Sequence, residues 1–323
     1  MSAYVFRPWK EGDDLELLQL WPDAMDTAAA TFRAMLGVDA DTEPWRRTVV
    51  AEYYGVAIAA GTIYETSLHN QHLWSYVEVA PDHRRHGVGS QLLRKLEELA
   101  QEAPSGVRSL RSKVETGSVA ADFALENGFT KIQRSRVVRI EAGSVPAVPL
   151  RENTDGEPTQ VVEDLATGSI ELTQKLWDFY RVSHEWDPPA DISLGRVNRL
   201  FLSDEAEAFG AVVLRDRIQE ARRAGKKGDI KAFAVSYRPL GQDMPGFELD
   251  DDAATEVLLG YDFEFPQARE AIMQLLCLLA AQYPVTIEVG ESMEDLTVLV
   301  DQLMKMGSAS VVEDTLVVAQ LAE

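Results

Sequence analysis

Cysteine is almost absent from this 323-residue chain. Cys277 stands alone, so no intramolecular disulfide and no multi-thiolate zinc site can form, and no metal is expected. That usage fits a reducing, cytoplasmic setting. Positive charge is the second shortage: 31 Lys and Arg stand against 53 Asp and Glu, a formal net charge of -22. A surface so acidic repels a phosphate backbone and an anionic membrane alike, which argues against nucleic acid and membranes as partners. Long apolar runs are missing too. The most apolar stretch, Ile272 to Ala281, is half of the roughly 20 residues that span a bilayer and contains Gln274, so it reads as a buried helix. Residues Met1 to Asp14 show no secretory signal pattern.

What is present is an ordinary globular composition, 46% hydrophobic and 26% charged, with a length that suggests two domains. The charge is unevenly placed: residues 1–142 carry net -4 and residues 143–323 carry -18. Between them Ala142 to Pro158 holds three prolines, two glycines and an Asn-Thr-Asp-Gly run, with little periodicity. The division that follows is an N-terminal domain over 1–142, a linker over 143–158 and a C-terminal domain over 159–323.

In the first half, strand-like and helix-like segments alternate. Tyr4 to Pro8 is a short apolar stretch, Asp14 to Leu20 and Asp23 to Leu36 read as helices, and Thr48 to Tyr54 with Val56 to Tyr64 form a hairpin at Gly55. Leu73 to Val79 is a strand; Ser90 to Glu102 is a helix that places Leu92, Leu93, Leu96, Leu99 and Ala100 on one face. A strand over Arg108 to Val114, a helix over Ser118 to Glu126 and a strand over Gln133 to Ile140 complete it.

The second half starts with helices over Ser169 to Trp186, with Leu172, Leu176, Phe179 and Tyr180 on a stripe, and over Ser203 to Ala224, then a strand over Ile230 to Tyr237. It then repeats the tail of the first: strand Thr255 to Phe263, helix Pro266 to Gln282, strand Val285 to Val289, a helix capped by Ser292 with Asp295 three residues on, and strand Val311 to Ala319. Pro81 and Pro266 lie 185 residues apart, and Gly128 and Gly307 lie 179 apart, so the halves read as diverged copies of one unit.

One segment carries recognisable chemistry. Arg84-Arg85-His86-Gly87-Val88-Gly89 lies between the strand Leu73 to Val79 and the helix that begins near Ser90. A glycine-rich turn opening a helix exposes backbone N–H groups without intrahelical partners, and the helix dipole adds positive potential there. Such a turn can hold a pyrophosphate, with Gly87 and Gly89 permitting close approach and Arg84 and Arg85 adding charge-assisted contacts. A six-residue turn of this kind also occurs as a plain strand-to-helix connection with solvated arginines.

Context decides between these readings. The run from Val77 to Ser90 resembles the acetyl-CoA-binding motif of the GCN5-related N-acetyltransferase (GNAT) superfamily, a hydrophobic strand leading into R/Q-x-x-G-x-G/A. About forty residues on, Phe123-Ala124-Leu125-Glu126-Asn127-Gly128-Phe129 resembles that superfamily's second motif. The tandem arrangement resembles actinobacterial two-domain acetyltransferases, mycothiol synthases among them, of which only the pair of folds carries over. The fold class implied is α/β (α+β): two tandem GNAT-like domains, each a mixed, mostly antiparallel sheet with helices on both faces.

The resemblance implies acetyl-CoA as co-substrate, with the backbone of Val77, Glu78 and Val79 pairing with the pantetheine arm. Arg84, Arg85, His86, Gly87, Val88, Gly89 and Ser90 would hold the pyrophosphate. An amine would attack the thioester directly, a base would take its proton, and backbone N–H groups would steady the oxyanion. Two departures put the acid–base residues in doubt. Many members carry a tyrosine, general acid for the thiolate, where this chain has Ala124; some carry a glutamate at the position aligned with Leu73. The candidate bases are therefore Glu78 at the end of the splayed strand, Glu115 after the next strand, and His72, with His69, before it. His83 and His86 read as phosphate-side or surface groups, Tyr76 and Tyr64 as acceptor-pocket or packing residues, and Trp74 and Trp45 as core.

In the second half, the corresponding loop reads Asp262-Phe263-Glu264-Phe265-Pro266-Gln267-Ala268, with acids and a proline where phosphates need donors. It reads as a degenerate GNAT-like domain without a cofactor loop, left with packing, acceptor shaping or oligomerisation, a homodimer included. The function expected is an acetyl-CoA-dependent N-acetyltransferase for a small primary amine, with the acidity hinting at a cationic one. The alternative, prompted by Ala124, is a non-catalytic acyl-CoA-binding sensor or assembly module.

Overall fold

The structure is a computed structural model that describes residues 4–22, 27–216, 227–238 and 253–320. It divides into two compact units. Unit 1 draws on residues 1–133, 187–190 and 315–323, and unit 2 on 134–186 and 191–314. The expected division at 142/143 thus falls at 133/134, and two later segments belong to unit 1.

Unit 1 is a sheet with helices on both faces. Its strands are β1 (Tyr4–Pro8), β2 (Arg46–Tyr53), β3 (Val56–Tyr64), β4 (Leu73–Val79), β5 (Leu110–Glu115), the start of β6 (Phe129–Ile140) and the end of β12 (Ala309–Gln320). The order is β1-β2-β3-β4-β5-β12-β6. The pairs β1/β2, β2/β3, β3/β4 and β5/β12 are antiparallel, and β4/β5 is parallel. Strand β3 reads Val-Ala-Ile-Ala-Ala-Gly-Thr-Ile-Tyr and is buried after its first residue, as a strand covered on both faces requires. Helix α3 (Val88–Ala100) buries Leu92, Leu93 and Leu96 against Val49, Ile58, Ile63, Leu73 and Leu110. Each such leucine contributes about 2 kcal/mol from area alone. The other face packs Leu17 of α1 (Asp13–Leu18) and Trp21 on Val50, Ala57 and Ala60. Helix α2 (Thr27–Ala34) lies within the segment expected to be helical, of which residues 23–26 fall outside the described residues. Helix α4 (Val119–Glu126) starts at Ser118, whose hydroxyl accepts from Ala121 N–H.

The strand order of unit 2, β12-β6-β11-β10-β9-β8-β7, follows the same plan. Its elements are β7 (Gln160–Asp164), α5 (Ile170–Ser183), α6 (Leu194–Phe201), β8 (Ala208–Asp216), β9 (Asp229–Tyr237), β10 (Thr255–Tyr261), α7 (Ala268–Leu279), β11 (Val285–Gly290) and α8 (Glu294–Lys305). Here β10/β11 is the parallel pair, as β4/β5 is in unit 1. Within the apolar stretch from Ile272 to Ala281, Ile272, Gln274, Leu275 and Leu276 lie on the buried side of α7. The repeat expected from spacing is therefore present in the topology, with one change. Strand β12 pairs with β5 through Thr315 to Ala319, and β6 pairs with β11 through Ser135 to Ile140. Each unit completes its sheet with a strand drawn from the other half of the sequence. Alternation along a strand sets its faces but not its neighbour, so the expectation that each half keeps its own last strand is corrected.

Three local expectations also change. Over its described part, Ser203 to Asp216, the segment is not the helix expected: Asp204–Ala206 is one 3-10 turn capped by Ser203, then β8 runs on its Val212-Val213-Leu214 apolar stretch, and 217–224 lie outside the described residues. Ser292 does not cap α8, because its hydroxyl donates to the Ser183 carbonyl at 2.6 Å; Met293 takes the cap position. The linker, largely exposed, is tied down at points, with Gly143 N–H donating to Ala280 O at 2.7 Å and Arg151 Nε to Glu270 at 2.8 Å. Among the described residues, no helix is long and apolar enough to cross a membrane.

Candidate active site

Strands β4 and β5 pair only at Leu73–Leu110 and Trp74–Arg111. Beyond that rung they part, and a cleft of about 690 Å³ opens between them. Its outer end is the turn between β4 and α3. Pro81–His83 makes one 3-10 turn, Arg84 Nε donates to Val79 O at 2.9 Å, and Arg85 and Gly87 take positive φ of 62° and 77°. Gly87 is the N-cap of α3, so the amides of Gly87, Val88, Gly89 and Ser90 are those a helix leaves without internal partners. Gly89 lets α3 and α4 meet: a Cβ there would stand 3.2 Å from the Phe123 ring.

Of the expected cofactor residues, Val77, Glu78, Val79, Arg84, Arg85, Gly87, Gly89 and Ser90 line the cleft. His86 and Val88 do not line it with their side chains. His86 Nδ1 donates back to Arg84 O at 2.8 Å, and the Val88 side chain is buried in the core beneath α3.

The two faces of the split differ because side chains alternate along each strand. Leu73 and Val77 of β4 with Leu110 and Val114 of β5 join the core under α3, and Ser112 shares that side. Tyr76 and Glu78 of β4 with Lys113 and Glu115 of β5 occupy the other side, beneath α2. There Phe32 stacks on Tyr76 at 5.3 Å, and Thr315 of β12 stands opposite Glu115.

The candidate bases meet different fates. Glu78 is buried, and its carboxylate accepts two hydrogen bonds from Arg33 (2.8 and 2.6 Å) and one from the Tyr76 hydroxyl (2.6 Å). Burial and the neighbouring carboxylate hold that hydroxyl well above the usual tyrosine range. To take a proton from an amine, Glu78 would first have to give up part of this network. Glu115 is exposed at the end of β5 and lines the cleft, while its backbone carbonyl accepts from Ser118 Oγ at 2.7 Å. Among the described residues its carboxylate has no ion-pair partner. His72 does not reach the cleft.

His72 belongs instead to a buried cluster at the closed end of the split. Asp187 is wholly buried; Arg111, 2% exposed, pairs with it, and the guanidinium lies 4.0 Å from the centre of the Trp74 ring. His69 Nδ1 donates to the Asp187 carbonyl at 2.8 Å and lies 3.2 Å from its carboxylate, and His72 Nδ1 lies 3.5 Å from the same carboxylate. Burial, and then the Arg111 charge, pushes His69 down to about 4 and His72 in the same direction. Between pH 6.5 and about 4 the unfolded chain therefore binds more protons at these sites than the folded one, so stability falls on acidification. The melting temperature should decline from pH 6.5 to pH 5, before most carboxylates titrate. A His69→Gln variant should show a shallower decline, and an unchanged slope would remove His69 from this role.

Sequence reasoning placed Tyr76 correctly as a possible cleft residue but missed Phe32, Arg33, Ser112 and Thr315. Phe32 and Arg33 sit on a helix whose stripe reads as core, and no signal in β12 says that it joins unit 1. Tyr64 is buried away from the cleft, and Trp45 is core.

The matching place in unit 2 is filled. Asp262 pairs with Lys231 at 2.9 Å, and the rings of Phe179, Phe233, Tyr261 and Phe263 contact one another at 4.6 to 5.9 Å. The Phe233 ring occupies the space a side chain would take at Gly260.

The glycine turn between β4 and α3, opening onto a split between parallel strands, is the arrangement that the motif's resemblance implies. Residues 8–129 match the model of the Acetyltransferase (GNAT) family. The chain is similar in fold to the GCN5-related N-acetyltransferase from Sphaerobacter thermophilus, at 14% identity and TM-score 0.60, covering 99% of this chain and 96% of that one. A tandem GNAT protein from the clavulanic acid biosynthesis pathway is similar at 13% identity and TM-score 0.55, covering 98% of each chain. The GCN5-related N-acetyltransferase from Kribbella flavida is similar at 14% and TM-score 0.50, covering 97% of this chain and 71% of that one. At such identities these likenesses speak for the fold alone. No curated protein matches the chain by sequence.

Proposed function

We propose that unit 1 is an acetyl-CoA-dependent N-acetyltransferase acting on a small primary amine. The observation that carries this reading is the β4–α3 turn, in which Gly87, Gly89 and Ser90 at the helix end, with Arg84 and Arg85, line the outer end of the cleft. The turn fits a pyrophosphate because Gly87 adopts a left-handed conformation and adds no side chain over the amides. The co-substrate supplies the activated acyl group as a thioester. The chain's own work is to hold that group along the split, to admit an amine from the Tyr76 and Glu115 side, and to take its proton. Glu115 is the base assigned, since its carboxylate is open and at the cleft; Glu78 with Arg33 and Tyr76 shapes the acceptor wall. The acids Glu115 and Glu126 on the lining favour a cationic amine.

Thermal unfolding with and without acetyl-CoA tests the reading. At a hundredfold excess over Kd, a ligand stabilises by about 2.7 kcal/mol, a shift of several degrees. No shift at millimolar acetyl-CoA would sink it. Binding without thiol release across a panel of amines would favour the sensor reading that Ala124 prompts. The aromatic filling of unit 2 leads to a further expectation: titration calorimetry should give one acetyl-CoA per chain, and a stoichiometry of two would contradict the filled second cleft.

A further inference from the structure

The cleft wall that faces away from the incoming amine has no tyrosine, since Ala124 stands on α4 at that place. Yet a thiolate that leaves into a wall of Leu93, Val114, Phe123 and Phe129 would be a poorly solvated charge. The hydroxyls on the lining are Ser75, Tyr76, Ser90, Ser112, Ser118 and Thr315. Ser75 donates to Arg111 O at 3.0 Å, Tyr76 to Glu78, and Ser118 to Glu115 O, and Thr315 is also engaged. Ser90 lies in the turn that faces the phosphates. Among the described residues, Ser112 is thus the hydroxyl at the inner part of the cleft whose donor is uncommitted.

Its position suits a role at the sulfur. Ser112 is the first residue of β5 past the Trp74–Arg111 rung, so it stands where the split closes. From Val79 back to Ser75, strand β4 covers about 13 Å of open edge. An acyl-CoA anchored at Gly87 to Ser90 lays its amide-bearing arm along that edge and brings its thioester toward this closed end. The polar side of the split, with Tyr76, Lys113 and Glu115, receives the amine. Ser112 lies on the opposite side with Leu110 and Val114.

Resting on the acetyltransferase reading, we propose that Ser112 is the catalytic residue that assists departure of the thiolate. As the amine nitrogen bonds to the carbonyl carbon, its surplus proton passes to Glu115 and on to water. As the carbon–sulfur bond breaks, its electron pair stays on sulfur, which takes the Ser112 Oγ proton while that oxygen recovers a proton from water in the cleft. The net change is amine plus thioester to amide plus thiol.

The experiment compares wild type with Ser112→Ala, Ser112→Val and Ser112→Thr. Threonine and valine have the same shape and differ by a hydroxyl, and both suit a strand. Thiol release from acetyl-CoA is followed with a disulfide dye, using spermidine, kanamycin and water as acceptors, beside melting temperatures with and without acetyl-CoA. Alanine and valine should lose about ten- to hundredfold in kcat, with the acetyl-CoA-induced shift unchanged, and threonine should rescue the rate to within about threefold of wild type. Equal rates for valine and threonine would overturn the proposal. So would loss of the acetyl-CoA shift in the alanine variant, which would make Ser112 a binding residue. Wild type that shows the shift but releases thiol with no acceptor removes acyl transfer and this role together while leaving cofactor binding; wild type without a shift removes the cofactor reading itself.

Discussion

Replacement of Asp187 by alanine should destabilise unit 1 by about 3–5 kcal/mol, the cost of leaving a buried partner charge uncompensated. The partner is Arg111, 2% exposed and stacked on Trp74, so water cannot replace the lost carboxylate. A loss of that size is a large part of the roughly 5–15 kcal/mol that holds a typical domain together. Arg111→Met should cost less, particularly toward pH 5. Without the guanidinium, His69 and His72 are relieved of the charge that depresses them and can protonate beside Asp187. The double variant Asp187→Leu with Arg111→Met should be more stable than Asp187→Ala alone, since apolar side chains can replace a buried pair at little cost. Denaturant unfolding of the full chain measures all three. A cost below about 1 kcal/mol for Asp187→Ala would show that the pair is solvated in practice and would undo the argument.

The second large effect belongs to the cofactor turn. Gly87→Val should abolish acetyl-CoA stabilisation: the shift of about 2.7 kcal/mol at a hundredfold excess should shrink to about 0.4 kcal/mol or less, as a hundredfold weaker Kd requires. Gly87 sits at φ 77°, where a β-branched residue costs roughly 1–2 kcal/mol or more and turns the following amides. Nothing lies within 4 Å of a Cβ there except Gln91 Nε2, at 3.9 Å, so the fold should survive. The free protein should melt only a few degrees lower. Retention of the full acetyl-CoA shift would mean that the pyrophosphate lies elsewhere.

Much of unit 1 was legible in the residues. Strand β4 starts and ends where the apolar alternation from Leu73 to Val79 does, and α3 and α4 lie within two residues of their periodic stretches. These elements are governed by local signals: glycines at Gly87 and Gly128, the serine cap at Ser118 and the leucine stripe of α3. From Ser203 to Asp216 the reading as helix failed because charges that suit a helix outweighed the β-branched pair Val212-Val213, whose preference is expressed only against neighbouring strands.

The site divides along the same line. The glycine turn is contiguous in sequence, so the chain alone determined its glycines, its arginines and the helix end behind them, along with the acidity that separates the two halves. What surrounds it is brought together over long separations. Only the fold paired Arg33 with Glu78 and turned that carboxylate from a candidate base into part of a neutral wall. Only the fold buried Asp187 between Arg111 and two histidines, and so took His72 away from the cleft. Only the fold set Thr315 beside Glu115, through a last strand that completes the first unit's sheet. Backbone conformation and helix ends depend on neighbours a few residues apart, whereas desolvation and charge pairing depend on what packs from across the chain. The turn at one end of the cleft was therefore readable, and the surroundings of the side chains along its walls were not.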